Sequence, residues 1–79
     1  MAGAIVGYAK KHGADPLVGL AIVKVESAFN PSARNPKSTA GGLFQFITET
    51  GRAYGLPPDA SRASVAQQAE AGLAQAGMP

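Results

Sequence analysis

Asp15-Pro16-Leu17-Val18-Gly19-Leu20-Ala21-Ile22-Val23-Lys24-Val25-Glu26-Ser27 is the stretch that decides the fold. Asp15 offers a side-chain acceptor to the free N–H groups of a helix start. Pro16 suits the first helical position, where a missing N–H costs nothing and φ is already helical. Beyond it, apolar residues fill nearly every turn and leave only Lys24 and Glu26 charged. A helix with no wet face is expected at the centre of a helical domain. Asn30-Pro31 closes it, because the residue before a proline avoids helical backbone.

The flanks read as helices too. Upstream, Ile5, Tyr8, Ala9 and His12 fall at i, i+3, i+4 and i+7, one face of an amphipathic helix. Gly13 is its natural stop. Downstream, Pro31 to Gly42 is polar and rich in Pro, Ser, Asn and Gly, which predicts a long shaped loop of the kind that often carries function. The run Leu43-Phe44-Gln45-Phe46-Ile47 follows, and Thr48 is expected to cap a short helix that reaches Tyr54 and stops at Gly55. After the linker Leu56-Pro57-Pro58-Asp59, Ser64-x-x-Gln67 has the form of a capping box, with Val65, Ala69, Leu73 and Ala76 at helical spacing. The reading is all-α: about four helices in one domain over residues 1–79, with a long loop after the second.

Composition narrows the chemistry. The chain has 79 residues, 46% hydrophobic and 15% charged, the balance of a small globular domain with room for one core. No cysteine is present and His12 is the sole histidine, so disulfides, thiolate nucleophiles and a metal centre are not expected. No cofactor is expected either. The net charge of +2 mildly favours an anionic partner. No basic run exceeds Lys10-Lys11, which argues against a nucleic-acid partner. No apolar run approaches the ~20 residues of a membrane span, and Met1-Ala2-Gly3-Ala4 lacks the basic start of a signal peptide.

Glu26 is the residue that stands out. It sits near the C-terminal end of the apolar helix, where the macrodipole disfavours a carboxylate. Its helical neighbours Ile22, Val23, Phe29 and Asn30 carry no positive charge. Burial and dipole together are expected to favour the protonated carboxyl, the form a general acid needs. The alternative is a helix-end glutamate that reaches water. Asp15 reads as a cap, Glu49 as a complement to a helix dipole, and Asp59 and Glu70 as surface groups.

Glu26-Ser27-x-Phe29-Asn30-Pro31-x-Ala33, then Asn35-Pro36-Lys37-Ser38-Thr39-Ala40-Gly41-Gly42-Leu43-Phe44-Gln45-Phe46, then Thr50 and Tyr54-Gly55-Leu56, resembles the soluble lytic transglycosylase family. The likeness reaches back to His12-Gly13-Ala14-Asp15-Pro16-Leu17, and the segment from Ser38 to Phe46 is most similar to domains of phage tail and virion proteins. The resemblance implies a lysozyme-like α-helical fold and cleavage of the β-1,4 bond between N-acetylmuramic acid and N-acetylglucosamine in peptidoglycan. It implies that Glu26 protonates the glycosidic oxygen and then acts as base while the sugar's own C6 hydroxyl attacks, leaving a 1,6-anhydro end. Such a reaction dispenses with the carboxylate pair of ordinary glycosidases. No second acid lies in the matching motifs.

The resemblance also suggests substrate-binding residues. Ser27 would support the acid or a sugar acetamido group, the alternative being a hydroxyl bonded back to its own helix. Gln45 would face the cleft, unless backbone satisfies its amide. Gly41 and Gly42 would let the backbone approach the glycan or the Glu26 helix, the alternative being an ordinary turn. Phe46 and Ile47 would wall a sugar subsite, with core packing as the other reading. Tyr8, Phe29 and Phe44 are assigned to the core and His12 to a helix end. Lys10, Arg34 and Lys37 would attract an anionic wall polymer or simply face water.

Two departures qualify the likeness. Asn35 stands where the family often has a hydroxyl, so Ser38 and Thr39 would take over. The family's later helices, with a block of the form Ala-x-x-x-Tyr-Asn and an assisting tyrosine, have no counterpart before Pro79, so about the N-terminal two-thirds of the domain is present. The chain would then be part of a longer protein, be completed by other virion segments or chains, or be degenerate. The resemblance places the protein in a phage tail or among internal ejection proteins, opening the wall during genome delivery, with the bacterial periplasm as the alternative location. Two rival functions remain: a hydrolytic lysozyme using Glu26 with water, and a non-catalytic virion or wall-binding module.

Overall fold

The computed structural model describes residues 1–77. Four helices are found among them: α1 (Ala2–Lys11), α2 (Pro16–Ser27), α3 (Thr48–Ala53) and α4 (Val65–Ala76), with a single 3₁₀ turn at Ala60–Arg62. No strand forms among the described residues, only isolated antiparallel bridges of Gly41 to Arg34 and to Phe46. The all-α expectation, with its long loop between the second and third helices, holds.

The predicted caps explain most boundaries. Asp15 accepts a hydrogen bond from Leu17 N at 2.9 Å. Ser64 accepts from Gln67 N, and the Gln67 side chain accepts from Ser64 N, so both halves of the capping box form. Gly13 and Gly55 follow α1 and α3 with φ of +70° and +82°, conformations that favour glycine. The start of α3 differs from expectation. Ile47 is its N-cap, and Thr48 lies inside the helix with its hydroxyl donating to Pro58 O at 2.8 Å. The Thr39 hydroxyl accepts from Thr48 N instead.

One core cluster joins α1, α2 and α4 through Ile5, Ala9, Val23, Leu43, Ala69 and Leu73. A second, formed by Phe46, Leu56, Ala60 and Ala71, lies beneath the loops. Phe44 and, from α1, Tyr8 pack against these clusters as expected. Gly19 brings α2 close in: a Cβ there would stand 2.9 Å from Leu73 Cδ1 and 3.4 Å from Ile5 Cγ2.

The expectation of a central α2 is not met. Only Gly19, Val23 and Ser27 are buried on it, a single face at i, i+4 and i+8. Leu17 and Val25 are 76% and 81% exposed, and Val18 is half exposed. Among the described residues α2 packs chiefly against α1, α4 and Leu43, which cover one face and leave Leu17, Val18 and Val25 open. Phe29, assigned to the core, is also exposed.

Candidate functional site

Helix α2 carries Glu26 to its last turn, and the chain then reverses sharply. Ala28 and Phe29 both take left-handed backbone, with φ of +52° and +61°. The helix therefore ends before Asn30-Pro31, and the expected role of that pair as terminator passes to Ala28. Non-glycine residues in this region each cost about 1 kcal/mol or more and tend to gather at functional sites. The third such residue, Gln45 at +52°, lies in the other candidate segment.

Glu26 is exposed, so the desolvation expected of it is absent: it stands on the bare face of α2 beside Val25. Three of the other four acids are committed elsewhere. Asp15 caps the far end of α2, ~16 Å away at 1.5 Å per helical residue. Asp59 accepts from Ser61 N and Oγ and lies 3.5 Å from Arg34 Nε and 3.8 Å from Arg62 Nε. Those contacts, the Ser61 hydrogen bond foremost, hold its carboxyl below the usual carboxylate range. Glu70 ties α4 to the end of α1, accepting from Lys11 Nζ at 2.6 Å with His12 Nε2 at 3.1 Å, and these partners lower its pKa. Reading Asp59 and Glu70 as bland surface groups missed both anchoring roles. Glu49 occupies the first turn of α3. Among the described residues no cluster suited to a metal ion occurs.

The remaining candidates fall in two groups. Ser27 is 8% exposed and donates to Val23 O at 3.0 Å, the back-bonded alternative. Gly42 is buried at φ +80°, and its close approach is to the Gln68 side chain of α4 and to Ala60 O, rather than to the Glu26 helix. Gln45 is half-buried and donates through Nε2 to Gly42 O at 2.9 Å and Ala33 O at 3.4 Å, so loop backbone takes up its amide. Phe46 is 5% exposed and belongs to the second core cluster, whereas Ile47 is exposed. Asn35 and Ser38 shape the loop tip by accepting from Lys37 N and Ala40 N. Ser38 also borders a cavity of about 240 Å³ with Arg34, Thr39, Thr48, Pro58 and Asp59, a hollow that Glu26 does not line.

Gln68 is the residue the sequence reading missed. It is 1% exposed and hydrogen-bonded on both sides of its amide to the loop region. A signal existed: it lies at i+3 from Val65 and one residue before Ala69, inside the apolar stripe of α4.

Comparison with protein families gives one match, to the model of the transglycosylase SLT domain, over residues 3–75. Neither a curated protein nor a solved structure matches.

Proposed function

The chain belongs to the transglycosylase SLT domain family, which at the family level means lytic transglycosylase action on peptidoglycan, and from that premise we propose that Glu26 is the general acid and base of a non-hydrolytic cleavage. The proton of Glu26 passes to the glycosidic oxygen, which leaves as the C4 hydroxyl of N-acetylglucosamine. The C6 hydroxyl of the N-acetylmuramic acid ring attacks its own C1 and returns its proton to Glu26. One C–O bond breaks, one forms, and no water is consumed. A glycan strand seated on the last turn of α2 would exclude water from the carboxyl.

The observation that carries this reading is the placement of acids. Glu26 is open to a ligand, while Asp15, Asp59 and Glu70 are held in caps and ion pairs and Glu49 stands in the first turn of α3. No second acid lies in the motifs that resemble the family, which favours transglycosylation over the lysozyme alternative with its carboxylate pair. The turn at Ala28-Phe29 supports a site here as well. Substrate contacts are assigned to Ile47 and to the loop carrying Asn35, Ser38 and Gln45. Ser27, Gly42 and Phe46 act from beneath. The exposed face of α2 is consistent with further protein, from the same polypeptide or a virion neighbour, completing the cleft. The likeness of Ser38–Phe46 to phage tail and virion domains supports action at the cell wall during genome delivery.

The test is digestion of purified sacculi followed by mass spectrometry of the soluble products. Anhydromuramic ends are expected; reducing muramic ends would replace the proposal with hydrolysis, and no products at all would leave a wall-binding module. Mass-spectrometric detection of the chain in purified phage particles tests the virion role, and its absence from them would overturn that part.

A further inference from the structure

Every polar group of the Gln68 side chain faces the loop or its approach. Oε1 accepts from Leu43 N at 2.7 Å, and Nε2 donates to Pro31 O at 3.1 Å and to Ala63 O at 2.9 Å. Only one amide orientation satisfies a backbone N–H on one side and two carbonyls on the other. Pro31 and Leu43 are the two ends of the long loop. Pro31 lies five residues after Glu26 and Leu43 two before Gln45. One buried side chain on α4 thus fixes where the chain leaves the Glu26 turn and where it returns with Gln45.

The pinning continues into the loop. Gly42 packs on the Gln68 amide so closely that a Cβ would stand 2.9 Å from Cδ. Gly42 N donates to Ala33 O at 2.8 Å, and Gln45 Nε2 closes on Gly42 O and Ala33 O. We infer that Gln68 is a positioning residue for the reaction: it sets the spacing between Glu26 and the Gln45 arm of the loop without touching the glycan. This rests on the proposed function for its activity readout but not for its geometry.

The test replaces Gln68 by Met, close in shape but unable to make any of the three hydrogen bonds, and by Asn, which keeps the amide one carbon short. Sacculus cleavage and thermal melting are followed at a temperature where each variant is folded. Misplacement by about 1 Å costs up to ~100-fold in rate. Gln68→Met is therefore expected to lower kcat about 10- to 100-fold with KM within about threefold, and Gln68→Asn to recover part of the loss. A second readout needs no activity: the NMR resonances of the Gln45 side-chain amide and the Gly42 and Leu43 N–H groups should shift in both variants. Should Gln68→Met fail to fold, Gln68→Asn decides on the same two readouts. A folded variant with wild-type kcat and unmoved Gln45 resonances would overturn the inference. Wild-type protein that cleaves nothing would count against the proposed function, and the resonances would then judge Gln68 alone.

Discussion

Replacing Gly42 by Ala tests how tightly the loop is held to α4, and Gly55→Ala is its internal control. Both glycines have left-handed backbone, at φ +80° and +82°. A non-glycine residue there costs about 1–2 kcal/mol. At Gly55 nothing lies within 4 Å of the added Cβ, so backbone strain is the whole expected effect. At Gly42 the Cβ would overlap Gln68 Oε1 and meet Ala60 O at 3.3 Å. The amide must move, and its bond to Leu43 N breaks. A buried hydrogen-bonding group left unsatisfied costs about 1–3 kcal/mol more. The totals are about 1–2 kcal/mol for Gly55→Ala and about 2–5 for Gly42→Ala. A domain of this size has ~4–12 kcal/mol of stability, so Gly42→Ala should remain measurable by urea denaturation in the cold. On heating, each kcal/mol corresponds to roughly 4–8 °C in Tm. Equal losses for the two variants, within about 0.5 kcal/mol, would refute the contact between Gly42 and Gln68.

Three further outcomes follow from the geometry. Contacts with Lys11 and His12 lower the folded pKa of Glu70, so its stabilising share is present above the ordinary glutamate range and is lost as pH falls through that range to the folded value; Glu70→Gln should flatten the acid limb of a stability–pH profile, and added salt should weaken the effect in the wild type. Ser64→Ala removes the α4 cap and half of the capping box and should cost ~1 kcal/mol by denaturant titration. Gly7→Ala lies in α1 with open space around the added methyl and should stabilise by about 0.5–1 kcal/mol in the same assay.

The helices were legible because their signals are local. Asp15-Pro16, Gly13 and the Ser64–Gln67 box each act within one turn, and all three sit where the sequence places them. The burial of α2 was not legible in the same way. Apolar residues on every face predict a covered helix, but cover depends on what surrounds it, and the described residues bring α1 and α4 to one side only. That is also why Glu26 proved exposed. In the loop, the residue types were read correctly as special and their partners were not. Gly42 looked suited to approach a ligand, yet it approaches Gln68, twenty-six residues on. A buried amide announces its need for partners without saying which, since they come from distant sequence. Ser27 and Phe46 each had a bland alternative, and the contacts seen are those of the alternative.

The most direct trial of the account compares Glu26→Gln with Glu49→Gln on purified sacculi. Both acids are exposed, and neither forms an ion pair among the described residues, so neither change should disturb the fold. General-acid catalysis contributes about 10²- to 10⁴-fold. The account predicts a loss of anhydromuropeptide release of that order for Glu26→Gln and wild-type release for Glu49→Gln. Undiminished release from Glu26→Gln, with its melting curve unchanged, would contradict it.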